Sequence, residues 1–397
     1  SAGGSWWEPE GDLRDLHAHR IVFDKAFVNT QSLFEEMGID WNDIFEPAEK
    51  DLYSFILGQL KLKDYGALTS LAVRVLAQPK KYRGVSLKDA LGELTEGGQA
   101  VLEHLPLIMD GVTWETMSAY EFVKSFDYVG LSKQCTQKVS GKVMCDAMQE
   151  ALEKVGVEFQ FEKELGKVEY LPNGFRAEFA DETVVDDGLL FLCLDNSPAL
   201  KFLGDNWGPD AEKKVRESTY GAINVLFDFD EPVKLGDDLE IAASTMWNLQ
   251  PVVLADGHTV SCVICDLTEE ILTTPPEELR VRVLEQLDVP LPKQIRIGWG
   301  ATWDGARWQF SQSSGVLSLC GQLPFYGECP RVAMCGMMSP RGTPYSSIEA
   351  AVEVSRALSH MTFGTREPLG PLLLTQVISV TFLVLIVLIL MYRNRNQ

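Results

Sequence analysis

The chain is poor in basic charge and in histidine, and it lacks the motifs that mark the common catalytic classes. No G-x-S-x-G elbow, G-K-S/T phosphate loop or H-E-x-x-H pair occurs, so no motif supports a serine hydrolase, a P-loop NTPase or a zincin protease. No Asn-X-Ser/Thr acceptor occurs, and the N-terminus carries no basic-then-apolar leader. The 8 cysteines fall into no disulfide framework. Together these absences favour a reducing compartment. Basic residues number 35 against 57 acidic ones, a net charge of −22. A surface of that sign repels phosphate backbones, so nucleic-acid binding is not expected.

What is present is a globular composition. Of 397 residues, 46% are apolar and 23% charged, which excludes wholesale disorder. At roughly 150 residues per domain, two intertwined domains and an appendage are expected. The appendage is at the C-terminus. Leu372–Tyr392 reads LLLTQVISVTFLVLIVLILMY without a charge, and Arg393 and Arg395 follow. As a helix this run is about 30 Å long, the thickness of a bilayer core. The expectation is a single-pass C-terminal transmembrane helix (372–392) that tethers a body whose side of the membrane stays open.

Along the body the apolar period alternates between helix and strand. Asp24–Met37 reads as a helix stopped by Gly38. Helical patterns follow to about Tyr128, including SLKDALGELTEGGQAVLEHL. Val139–Gly156 reads as an amphipathic helix with Val143, Ala147, Leu152 and Val155 on its apolar face. The period then changes to that of strands in VEFQF, LGKVEYL, GFRAEFA and GLLFLCL, with a hairpin at Pro172-Asn173-Gly174. A second sheet-rich block holds YGAINVLFDF, VVLADG and TVSCVICDL. EELRVRVLEQL reads as a helix, RVAMCG as a last strand and SSIEAAVEVSRALSHM as a closing helix. The fold class is mixed α/β (α+β), with segments that interleave.

Several of these segments, in this order, resemble the flavin-containing amine oxidase superfamily, which includes monoamine oxidases, protoporphyrinogen oxidase and phytoene desaturases. Gly3-Gly4-Ser5-Trp6 is similar to the family's GG turn along the FAD. Leu165-Gly166-Lys167-Val168 resembles the V-x-x-I step whose backbone meets the adenine. VAMCGMMSPRGTPYSSIEAAVEVSRALSHM resembles the last strand, glycine turn and closing helix. The resemblance implies an FAD domain built from residues 1–46, 139–205 and 316–365. It also implies a substrate domain built from 47–138 and 206–315. It assigns cofactor contacts to Gly3, Gly4, Ser5, Leu165, Gly336, Ser347, Ile348 and Ala350, and implies FAD as cofactor with a small-molecule substrate. Tail anchoring is a further trait shared with monoamine oxidases.

The family's G-x-G-x-x-G fingerprint is absent. It would fall about thirty residues before Gly3-Gly4. The chain begins at Ser1, so two explanations stand: a fragment of a longer flavoprotein, or a relative that has lost its nucleotide site. The closing helix also carries Ala350 and Ser355 where the family has glycines. Individual residues keep two readings each. Ser347 is an ordinary N-cap or a cofactor contact. His17 and His19 are polar loop residues or, by the resemblance, shape the substrate side. Trp303, with Trp299, Trp308 and Phe310, is core or an aromatic wall beside the flavin. Cys262-Val263-Ile264-Cys265 reads as buried strand thiols, not as a metal site. The two functional expectations are a membrane-anchored FAD-dependent oxidoreductase, moving hydride from a C–N or C–C bond, and a non-catalytic membrane-tethered scaffold with the same fold.

Overall fold

The computed structural model describes residues 5–7, 13–15, 21–48, 58–110, 112–139, 141–217, 219–235, 245–254, 257–264, 266–287, 289–298, 301–310, 314–315, 322–344 and 346–376. Gly3, Gly4, His17, His19, Trp299, Cys265 and residues 377–392 of the apolar run lie outside this set. A short ribbon pairs β1 (Ser5–Trp7) antiparallel to β2 (Leu13–Asp15).

One layer is built around α1 (Val28–Met37). Its chain leaves through Gly38 in the left-handed conformation at φ 71°, which glycine adopts without strain. Beside it β3 (Ile21–Phe23) and β4 (Phe45–Pro47) flank β5 (Gln134–Gln137) in an antiparallel sheet. Phe27, Phe34, Ile44, Phe45, Tyr128 and Met144 fill the space between them.

The helical part packs α2 (Leu62–Ala77), α3 (Glu96–Asp110) and α4 (Ala119–Val129) around Leu71, Leu102, Leu105, Met117 and Phe122. The stretch from Ser86 to Leu105 is two helices, Leu87–Ala90 and α3, although its pattern reads as one. Buried Asp64 explains the break. Its carboxylate accepts from Thr95 N at 2.7 Å, Thr95 Oγ1 at 2.7 Å and Lys61 N at 2.9 Å, which fixes the chain at the start of α3.

α5 (Gly141–Lys154) corrects the sequence reading of its apolar face. Met144 is 4% exposed, while Val143 is 49% and Val155 78% exposed. Met144, Cys145 and Met148 face the α1 layer. VEFQF is a second correction: residues 157–161 contain no strand. Strand pairing resumes in the meander β6 (Leu165–Leu171), β7 (Gly174–Phe179) and β8 (Val184–Val185).

β9 (Leu190–Leu192) pairs parallel with β18 (Val332–Met334), joining chain segments far apart in sequence. Val332 and Met334 share a core with Phe175, Leu192, Trp207 and Val215. The closing helix α7 (Ile348–Phe363) covers the pair's other face.

β10 (Thr219–Tyr220) pairs antiparallel with β17 (Ser314–Gly315). The second sheet has the order β12 (Leu249–Val253), β13 (Thr259–Ile264), β11 (Ile223–Asp228), β14 (Gln294–Ile297), all antiparallel. Pro251, which has no N–H to donate, is accommodated on edge strand β12. α6 (Pro276–Leu287) and the hairpin of β15 (Ala301–Trp303) and β16 (Trp308–Phe310) pack on one face through Val225, Phe227, Leu279, Val283 and Trp308.

Candidate functional site

The site is built where β9 and β18 end. Along these strands Leu190, Leu192, Val332 and Met334 point into one core, and Phe191, Ala333 and Cys335 point towards α7. Cys335 N donates to Leu192 O at 2.9 Å and closes the ladder. The next residue is Gly336. A Cβ there would lie 2.2 Å from Leu194 O, so any side chain would push the two strand exits apart. Ser339 closes the turn: its hydroxyl accepts from Gly336 N at 3.1 Å and donates to Met334 O at 2.9 Å.

α7 runs back along the strands. Cys335 Sγ lies 3.7 Å from Ser355 Oγ, and Phe191 meets Phe363 edge-on at 6.1 Å. The start of α7 therefore projects beyond the carboxyl ends of β9 and β18, by about 10 Å between Ser355 and Ile348. In open α/β folds that crevice is where ligands bind. Ser347 caps the helix, its Oγ accepting from Ala350 N at 3.2 Å. The N–H groups of Ile348 and Glu349 have no partner among the described residues. Two free donors at the positive end of a helix suit an anionic or carbonyl oxygen. Ala350 is fully buried, so the first turn carries no bulk at that position.

α1 and α7 lie side by side with their N-termini together, since Glu349 meets Asn29 and Thr30 while Arg356 reaches Ser32 and Glu36. Two positive dipole ends in contact repel. Glu349 resolves this: Oε1 accepts from Asn29 N at 2.9 Å and Asn29 Nδ2 at 2.8 Å, and Oε2 accepts from Thr30 N and Thr30 Oγ1, each at 2.8 Å. α1 has no acidic residue in its own first turn. Burial pushes the Glu349 carboxyl pKa up, and the donors on Thr30 and Asn29 act against that rise. The α1 terminus is thus filled by protein, and among the described residues the α7 terminus is left free.

Asp195 follows two residues after Cys193 and precedes the short helix Asn196–Leu200, without capping it through its side chain. Burial pushes its pKa up to about 6, against the Asn196 backbone N–H, which lowers it. Near neutral pH this carboxyl exchanges a proton readily.

The remaining expected residues are dispersed. Ser5 opens β1. Leu165 opens β6 at an irregularity in the β6–β7 pairing, half-buried against the core that holds Leu192 and Met334. Trp303 packs edge-on against Trp308 at 5.7 Å on the rim of the second sheet's core. Trp308 Nε1 donates to Thr274 O at 2.9 Å, so this aromatic pair belongs to that core.

The sequence reading missed the other face of the second sheet. Asn224, Gln250, Thr259 and Ser261 alternate with the core residues and are themselves buried. Ser261 Oγ donates to Asn224 Oδ1 at 3.1 Å. Asp228 accepts from Thr259 Oγ1 at 3.0 Å and from Arg296 Nε at 2.9 Å. Gln250 Nε2 has no acceptor among the described residues. A buried polar wall with a spare donor differs from a solvated strand face. The available signal was Asn, Gln, Ser and Thr at alternating positions where a wet face carries Lys and Glu.

No family profile matches the sequence. No curated protein matches it either. Solved structures do match, over most of the chain. A putrescine oxidase double mutant from a redesign of cofactor binding superposes with a TM-score of 0.61 at 13% identity, covering 91% of each chain. Wild-type putrescine oxidase bound to putrescine gives 0.60 at 12% identity, again covering 91% of each chain. Cyclohexylamine oxidase from Brevibacterium oxydans gives 0.52 at 11% identity, covering 88% of each chain. The chain has the fold of these amine oxidases, as the resemblance of its segments implies.

Proposed function

We propose that the chain is an FAD-dependent oxidoreductase of the amine-oxidase type acting on a small amine. The observation that carries the reading is the match in fold across 91% of the chain to putrescine oxidase, joined to a helix N-terminus with two free N–H groups at the parallel strand exits. The described residues fit the flavin end of FAD: the α7 terminus supplies donors, Gly336 and Ala350 supply close approach, and the Glu349 carboxyl is turned away onto Asn29 and Thr30. When bound, FAD supplies the hydride acceptor. Ile348 and Glu349 N–H groups would hold its carbonyl or phosphate oxygens, with Gly3, Gly4, Ser5 and Leu165 along its length. Gln250 and Asn224 would orient the substrate from the sheet, and Asp195 would hold or release a proton. By the resemblance His19 would face the substrate side, whereas Trp303 stays with Trp308 in the second sheet's core.

The body is further proposed to be held to a membrane by the apolar run 372–392, on the strength of its hydropathy. Among the described residues no helix is long and apolar enough to cross a membrane.

A non-catalytic scaffold with the same fold is the second reading, because a match in fold at 12–13% identity carries no chemistry by itself. One experiment separates the two. The full chain is mixed with FAD, freed of unbound flavin by gel filtration, and exposed anaerobically to putrescine and cyclohexylamine. Bleaching of the bound flavin band supports the oxidoreductase. Retained flavin that no amine bleaches defeats the amine reading. No retained flavin favours the scaffold.

A further inference from the structure

Cys193 and Cys335 stand one residue past the last paired positions of β9 and β18, Leu192 and Met334. Strand alternation puts both side chains on the face that carries Phe191 and Ala333, beneath α7. Directly paired residues on neighbouring strands are about 4.8 Å apart. That lies within the Cα separation of about 4.4–6.8 Å that a disulfide spans. We propose that Cys193 and Cys335 form a redox-active dithiol, oxidised by hydroperoxides to a reversible disulfide that ties the two strand exits together. The proposal does not depend on FAD or on the amine reading.

The two thiols have different tasks. The Cys193 thiol hydrogen-bonds to the Cys335 sulfur, and with Ser355 this holds the Cys335 pKa down to about 7 against burial. The Cys193 thiol is pushed up by the same bond and by burial. Cys335 is therefore the thiolate, and Cys193, open to solvent, is the resolving thiol. Cys335 sulfur attacks one oxygen of hydrogen peroxide. The O–O bond breaks, the departing hydroxide takes a proton to leave as water, and Cys335 becomes a sulfenic acid. Cys193 sulfur then attacks Cys335 sulfur. The S–O bond breaks, the hydroxyl leaves with the Cys193 proton as water, and the S–S bond forms. Two thiols and one peroxide give one disulfide and two waters. Cys135, Cys262 and Cys329 are buried in the other cores, which makes selectivity for the Cys193–Cys335 pair the expected signature.

The test uses the full-length reduced protein treated with a small excess of hydrogen peroxide, then denatured in N-ethylmaleimide and digested without reductant. The expected product is a peptide pair joined through Cys193 and Cys335. The thiol titre should fall from 8 by two and return with dithiothreitol. In Cys193→Ser, dimedone should trap a sulfenic acid at Cys335 about tenfold faster than at the other cysteines. Separate alkylation of Cys193 and Cys335 after peroxide, or cross-links scattered among all cysteines, would overturn the proposal. The wild-type peptide map decides the matter even if the variant does not fold.

Discussion

Glu349 is a buried carboxylate that accepts four hydrogen bonds from Asn29 and Thr30, so removing it strands these donors except Asn29 Nδ2, which keeps its bond to Leu369 O. Glu349→Ala should cost about 3 kcal/mol, read as a lower urea midpoint at unchanged slope. A loss below about 0.5 kcal/mol, the range of an ordinary surface change, would show that the cluster holds nothing. Asp195 gives a pH signature of its own. Its folded pKa of about 6 lies above the unfolded value, so the folded state binds the proton more tightly. Its contribution is fully present below about pH 4 and is lost as pH rises through about 6, a decline of roughly 3 kcal/mol. In Asp195→Asn that part of the pH–stability curve should be flat. An unchanged decline would mean that another group titrates.

At the scale of elements, α5 shows what a helical pattern leaves open. Its sequence offers two apolar stripes, one through Val143 and Val155 and one through Met144 and Met148. The periodicity of each suits a helix. Met144 is the residue that is buried, against the α1 layer. Met144→Ala should therefore cost about 2–3 kcal/mol in thermal or urea unfolding, and Val155→Ser less than about 0.5 kcal/mol. Equal losses at the two positions would contradict the packing. The break between Ala90 and Glu96 has the same lesson, because its cause, Asp64, lies on another helix. No local propensity announces it.

At the scale of the molecule the C-terminal segment is docked on the body through residues 369–375 of the chain. Asn29 Oδ1 accepts from Leu369 N at 2.7 Å, and Asp127 accepts from Thr375 N at 2.8 Å and Thr375 Oγ1 at 3.1 Å. As a helix, residues 377–392 reach about 24 Å, short of a bilayer core of about 30 Å. Crossing with the whole run would require the Thr375–Asp127 contact to open. Ending the chain after Gln376 should yield a body that stays in the supernatant after a carbonate wash. Ending it after Glu367 should also lower stability by about 2 kcal/mol, through loss of the Asn29 and Asp127 bonds. A body that still sediments with membranes when it ends at Gln376 would locate the anchor elsewhere.

The sequence alone determined whatever depends on local period and on short-range chemistry. The hairpin at Pro172-Asn173-Gly174, the strands around Val225 and Val260, the helix after Ser347 and the acidic net charge were legible from neighbouring residues. So was the resemblance in fold, because its segments keep their order. Tertiary structure decided what depends on partners far along the chain. It chose the buried stripe of α5, placed Glu349 on the terminus of α1, set Cys193 beside Cys335, and enclosed the polar wall of Gln250, Asn224 and Ser261. The physical reason is the same in each case. A residue's own neighbours set its conformation, but its burial, its hydrogen-bond partner and its pKa are set by chain that arrives from elsewhere in the sequence, 37 residues away for Ser261 at Asn224 and 320 for Glu349 at Asn29.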